Sequence, residues 1–231
     1  MARVPQTQGS IKPFVWRSRI RLVDEVVDVL RKRIYDGAYA PGEPLRQEQL
    51  SAELSVSRTP LREAFWMLER EGLVTMLPGG GARVITGDLD TLLAAYELRA
   101  VVDGVAARLA AKNPSAVVPA LESLLKIQRR ALEPWDPAAY TIANVEFHEA
   151  IITAADNEFV QAQAPLVRIT SQVFAPVKVL DVTRAQAAVE EHRHIRDAIA
   201  SGKAATAERV ARYHIRVTIK SLSQKKGMVE T

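Results

Sequence analysis

The stretch ELSVSRTPLREAFWMLEREGLV, Glu53 to Val74, decides how the front of this chain folds. Leu61, Phe65 and Leu68 recur at spacings of four and three, so they share one face of a helix. Ser57 suits the N-cap of that helix, and Pro60 falls in its first turn, where a missing N–H costs little. Arg58 and Thr59 stand between them. The free N–H groups and positive dipole end of a helix favour phosphate, so a helix opening on Ser-Arg-Thr-Pro is built to present that end outward. Arg62 lies one turn after Arg58 on the same face. Arginine is the side chain best shaped for guanine O6/N7 or phosphate, and one bidentate contact gives about 1–3 kcal/mol of discrimination. On a merely solvated helix these arginines would be surface charges. Arg62 would then have Glu63 beside it, which cannot face it, and Glu69 two turns away.

Around this stretch the pattern is that of a small domain. From Arg17 a helix is expected, with Ile20, Val23, Val26, Val27, Leu30 and Ile34 at spacings of three and four. Gly37, Pro41, Gly42 and Pro44 break it. A short helix follows with Leu50 and Leu54 inward. After Leu73 come two short strands, Leu73–Met76 and Ala82–Ile85, joined at Gly79, Gly80 and Gly81, whose tip needs positive φ. Leu50, Leu54, Val56, Leu61, Phe65, Leu68 and Leu73 form the expected core. Three helices followed by a hairpin make a winged helix-turn-helix, a DNA reader.

Past Asp88, an N-cap, only helices are expected: Leu89–Ala111, Ser115–Leu132, Pro137–Ala155, Glu158–Pro176, Val182–Ala200 and Lys203–Ser223. The fold class is therefore mainly α, a winged helix-turn-helix followed by an all-α bundle of about six helices. The expected divisions are a flexible basic arm at 1–16, the DNA-binding domain at 17–86, the helical domain at 87–224 and a tail at 225–231. Arg3, Lys12, Arg17 and Arg19 precede any acid, which suits an arm that is either solvated or touching phosphate.

The composition is compatible with this. Of 231 residues, 48% are hydrophobic and 25% charged, as in ordinary globular chains, and the net charge of +4 permits a nucleic-acid partner. There is no cysteine, which excludes disulfides and thiolate metal sites. With no signal-peptide pattern and no apolar run of membrane-spanning length, a cytoplasmic protein is expected.

The histidines of the helical half carry its chemistry. Asn144 and His148 share a face with Tyr140, Ile151 and Ala155. His192 lies with Val189, Ile195 and Ile199, and His214 with Ala207, Ala211 and Val217. A single histidine on an apolar face is usually a hydrogen-bonded core residue. Three, from three helices, suit zinc or a similar divalent ion if the helices meet. His194, beside Glu190, Glu191 and Asp197, reads as exposed. Arg99, on the Leu92–Tyr96–Val102 face, can take a ligand carboxylate or pair with Asp103 four residues on.

PGEPLRQEQLSAELSVSRTPLREAFWMLEREGLVTMLPGGGARV resembles the winged-helix domain of the GntR family of bacterial transcription regulators, over about Leu22 to Ile85. The resemblance implies that Arg58, Thr59, Arg62 and the wing glycines contact operator DNA, with Ser57 capping the recognition helix and Arg46 near the backbone. Phe65, Trp66 and Met67 depart from that family's usual small and charged residues. The remainder, with YELRAVVDGVAARLAA, NVEFHEAIITAADN and EEHRHIRDAIASGKAATAERVARYHI, is similar to the FCD effector-binding domain of the FadR subfamily. There, an Asp and three His bind a metal in many members. The matching positions are Asn144, His148, His192 and His214, so an amide oxygen, a weaker ligand, stands where the carboxylate would be. Arg99 matches a position near the pocket, and Asp103 stands where Glu is commoner.

The resemblance implies a homodimer that reads a pseudo-palindromic operator and responds to a small organic acid, with repression relieved by the ligand. A metal-sensing regulator is the alternative. A metal-dependent enzyme is disfavoured: His148-Glu149 is not followed by the second His of a HExxH motif, and no P-loop or dinucleotide fingerprint occurs.

Overall fold

The computed structural model describes residues 17–173 and 181–229. The basic arm at 1–16 lies outside the described residues. Helix α1 (Arg17–Tyr35) buries Val23, Val26, Val27, Leu30 and Ile34, the stripe that its spacing sets. Helices α2 (Gln47–Leu54) and α3 (Arg58–Arg70) follow, linked through Ser55 in the left-handed region at φ 53°. Ser57 occupies the N-cap of α3, with extended backbone and no side-chain cap bond. Leu61, Phe65 and Leu68 are fully buried against α1 and α2, and Leu73 joins them.

The wing differs from a two-stranded hairpin. Strands β2 (Val74–Leu77) and β3 (Gly81–Val84) pair antiparallel, and a third strand, β1 (Pro44–Arg46), pairs on the other side of β3, giving the order β1-β3-β2. In β1 only Leu45 is buried, opposite Ala82, so a three-residue strand that opens on Pro44 is too short to carry a readable period. The glycine tip also divides. Gly79 and Gly80 adopt φ of +87° and +89°, as the turn requires. Gly81 does not; a Cβ there would stand 2.9 Å from the Leu45 carbonyl oxygen, so its glycine is set by the close approach of β1.

The helical half runs α4 (Leu89–Ala110), a 3-10 turn (Pro114–Ala116), α5 (Val118–Arg130), α6 (Pro137–Ala154), α7 (Glu158–Gln161), α8 (Ala164–Arg168), a π-helical turn (Ile169–Val173), α9 (Val182–Ala200) and α10 (Ala204–Val229). Asp88, Asp136, Asn157 and Asp181 cap α4, α6, α7 and α9 through their side chains. The single helix expected over Glu158–Pro176 is corrected to α7, α8 and the π turn. Pro165 forbids an unbroken helix across this segment, because it has no N–H and its ring clashes with the preceding turn; positions 174–176 lie outside the described residues. The expected tail at 225–231 is helical as far as Val229, in α10.

Two main cores result. One unites α1, α2, α3 and the wing; the other unites α4, α5, α6, α9 and α10. Val173 of the π turn belongs to the first, although the turn is continuous with the helices of the second.

Candidate DNA-facing groove and histidine centre

The outer end of the winged helix gathers the basic residues that the sequence singles out. Arg46, Arg58, Gly79, Gly80 and Gly81 line one groove of about 280 Å³, between the start of α3 and the wing tip. Ser57, Thr59 and Arg62 are exposed beside it on α3. Arg58 approaches Glu48 at 3.9 Å, both side chains largely solvated, a pairing too weak to hold the guanidinium from another anion. Arg62 lies over the Trp66 ring at 5.4 Å. Trp66, 49% exposed, is thus a platform for the arginine. Gln47 was not legible as part of this groove. Its amide lies against Gly80, and its Nε2 is buried without a partner among the described residues.

In the helical half the three buried histidines converge. His148, His192 and His214, on α6, α9 and α10, each offer a ring nitrogen within 4.8 Å of the others. Each Nδ1 faces an oxygen. His148 Nδ1 lies 2.9 Å from Asp103 Oδ2, and His214 Nδ1 lies 2.5 Å from Glu191 Oε2. His192 Nδ1 lies 2.8 Å from Gln128 Oε1. Gln128 Nε2 donates to the Ala143 carbonyl at 3.1 Å, which fixes the amide so that Oε1 can only accept. The partners therefore place the proton on Nδ1 of each ring and leave the lone pair on Nε2.

This has an electrostatic consequence. His192 Nε2 and His214 Nε2 stand 3.2 Å apart, lone pair toward lone pair, and the buried His148 Nε2 has no hydrogen-bond partner among the described residues. Burial holds all three rings neutral: His148 is pushed down to about 4, His214 lies below its usual range, and His192 lies well below it. Three neutral imidazoles with aligned donors fit a divalent cation, and oxygen acceptors behind the rings are the usual support of such ligands.

Beside this centre is a cavity of about 90 Å³, lined among others by Asn144, His148, His214, Tyr96 and Tyr140. Asn144 is half-buried on its wall, one turn before His148. Two arginines reach it. Arg99, 2% exposed, donates from Nη1 to Thr170 Oγ1 at 3.0 Å and Ser171 Oγ at 2.9 Å. Its Nε lies 3.4 Å from Asp103 Oδ2, so the intrahelical pairing also exists, and it is long. Burial by itself raises the Asp103 carboxyl, but Arg99 and His148 outweigh it and hold it below its usual value. Arg184, not anticipated, donates to both Glu191 oxygens at 3.2 and 2.9 Å and to Thr218. Gln128 did leave a sign in the sequence: it continues the buried stripe Leu121, Leu125 at a position where a polar residue needs a partner.

A winged helix followed by a helical bundle with a buried histidine centre is the build of a two-part regulator of transcription. The chain belongs to the GntR family of bacterial regulatory proteins, whose family profile matches residues 22–84; the FCD domain profile matches residues 94–217. It is 27% identical over 213 residues to a probable D-xylose utilization operon transcriptional repressor of Paenarthrobacter nicotinovorans, spanning 92% of this chain and 94% of that one. It is 31% identical over 173 residues to the Nta operon transcriptional regulator of Aminobacter aminovorans, spanning 71% of this chain and 77% of that one. Among solved structures its fold is similar to E. coli McbR/YncC, at a TM-score of 0.76 and 20% identity over 89% of this chain and 98% of that one. A putative transcriptional regulator from Rhodococcus sp. RHA1 aligns at 0.72 and 22% identity, over 87% and 97% of the two chains. Among the described residues, no helix is long and apolar enough to cross a membrane.

Proposed function

We propose that this protein is a ligand-responsive repressor whose DNA-binding unit spans about 17–86 and whose sensing and dimerising unit spans about 87–224. Arg46, Arg58, Thr59, Arg62 and the wing glycines face operator DNA, with Ser57 at the head of the recognition helix. Two copies read a pseudo-palindromic site, as two-fold symmetry favours. Exposed Leu98 and Val101 on α4 supply apolar surface for that association. The arrangement is that of the FadR subfamily, and the repressors among its relatives support the sign.

The observation that carries the sensing half is the convergence of three Nε2 lone pairs beside a cavity reached by Arg99. His148, His192 and His214 would hold a divalent ion, zinc being the best match to three imidazoles, with the Asn144 oxygen as a weaker fourth donor. Such an ion supplies a Lewis-acid site for an anionic ligand. Arg99 draws a carboxylate to the same cavity. The room beyond the histidines favours a small organic acid as the signal over the ion alone.

The test is elemental analysis of freshly purified protein and of His192→Ala, followed by a melting-temperature screen of small carboxylates on the metal-loaded form. About one ion per chain, lost in the variant, and at least one carboxylate that stabilises only the loaded protein are expected. No metal in either protein would overturn the metal centre; no carboxylate response would overturn the effector class.

A further inference from the structure

The π-helical turn Ile169–Val173 touches both halves of the molecule. On one side Arg99 holds it, by the bonds to Thr170 and Ser171. On the other, Val173, 3% exposed, is buried in the core of the winged helix. Ile169 packs on the same core, its Cδ1 3.9 Å from where a Cβ on Gly72 would sit, at the link between α3 and β2. Just before the turn, Arg168 pairs with both oxygens of Glu149 and lies over the Tyr35 ring of α1 at 5.3 Å. Behind Arg99 the chain of contacts continues through Asp103 to the His148 ring. A continuous path of packed and hydrogen-bonded groups thus runs from the histidine centre to the base of the recognition helix.

We propose that Arg99 is the residue that couples the cavity to the DNA reader, by exchanging its hold on the π turn for a hold on the ligand. The inference rests on the carboxylate reading above. Arg99 and Ser171 both line the cavity, so an anion there meets the guanidinium where it now meets neutral hydroxyls. Against a hydroxyl dipole the guanidinium gains only an ion–dipole contact; against a carboxylate it gains the attraction of two full charges and a bidentate geometry, so the carboxylate wins the competition. The exchange strands little: Thr170 Oγ1 already lies 2.7 Å from the Leu166 carbonyl and 3.1 Å from that of Val167, either of which accepts its proton. What is lost is the anchor of the turn. π-helical turns are rare, and they concentrate at functional sites. Released from Arg99, this one is free to re-wind, and Val173 and Ile169 carry the change into the winged-helix core. Thr170 and Ser171 are positioning residues: they set the turn, and neither belongs to the DNA-facing groove or to the three-histidine set.

The experiment unlatches the turn without any ligand. Thr170→Val and Ser171→Ala, separately and together, are measured in the full chain for affinity to the DNA upstream of its own gene, and for amide hydrogen exchange. A shift in DNA affinity of at least about fivefold, the lower end of ordinary coupling strengths, is expected, with loss of protection at 169–173 and at 68–73. Zinc binding stays as in the wild type. Thr170→Ser retains the hydroxyl and is expected to match the wild type, which separates loss of the bond from damage to packing. Should Thr170→Val fail to fold, Ser171→Ala, at a half-buried position, carries the test. Unchanged affinity and unchanged protection at 68–73 overturn the proposal. Citrate, titrated into the wild type as a chelating carboxylate, separates the two readings. If citrate shifts DNA affinity and the variants do not, the coupling fails and the carboxylate reading stands. If citrate and related acids do nothing and the variants shift affinity, the reverse holds.

Discussion

His192 Nε2 and His214 Nε2 face each other at 3.2 Å with their Nδ1 atoms committed to Gln128 and Glu191. Two neutral rings so arranged repel unless a cation sits between them. The supporting oxygens should therefore govern ion affinity. Gln128→Leu keeps the side chain's bulk but removes the acceptor behind His192. It is expected to weaken zinc binding about 10- to 100-fold, as loss of such support typically does. Gln128→Glu should retain it. Competition with a chromophoric chelator measures both, and equal affinity for the Leu variant would contradict the tautomer assigned to His192.

Acid should destabilise the metal-free protein in a defined window. The His148 ring is held near 4 by burial, against 6.5 for a free imidazole, and His192 and His214 are shifted the same way. The unfolded chain therefore binds protons first as pH falls. Stability is full above about 6.5 and declines as pH drops from there toward about 4. Urea midpoints in the presence of a chelator, taken from pH 7.5 to 4.5, should fall across this range. A flat profile would show that the rings are not buried neutral.

Removing Arg58 should weaken binding to the upstream DNA. If its partner is a phosphate, the slope of log affinity against log salt drops by about one. If its partner is a base, discrimination falls instead, by about 1–3 kcal/mol. Trp66→Ala, which removes the ring beneath Arg62 at 5.4 Å, should have a smaller effect on the same assay. Fluorescence anisotropy at several salt concentrations distinguishes these cases. An Arg58→Ala protein with wild-type affinity and salt dependence would remove Arg58 from the DNA interface.

Neighbouring aromatics on α3 should behave oppositely toward stability. Phe65 is fully buried and Trp66 is 49% exposed. Phe65→Ala is expected to cost about 3–5 kcal/mol, and Trp66→Ala less than about 1 kcal/mol. Denaturant unfolding of the two variants provides the comparison.

The recognition helix was legible because its information is local. Apolar spacing sets the buried face through Leu61, Phe65 and Leu68, and Ser57 and Pro60 mark its start, all within a single helix. The same holds for α1 and for the helices that begin at Asp88, Asp136 and Asp181. Strand β1 was not legible, since a three-residue strand that opens on a proline is too short to show a period, and only pairing with β3 makes it a strand. The break of α7 from α8 lay in plain view at Pro165, yet the apolar residues around it continue a helical pattern.

The sequence by itself determined that a winged helix precedes a helical bundle, and that Asn144, His148, His192 and His214 stand on inward faces. It could not place α6, α9 and α10 against one another, because helix packing depends on side chains distant in the chain. Tertiary structure alone decided that the three rings meet, that Gln128, Asp103 and Glu191 orient them, and that Arg99 reaches across 71 residues to Thr170. It also decided that Val173 crosses into the other core. Local patterns fix which face of an element is buried; what that face is buried against is fixed only when the elements pack.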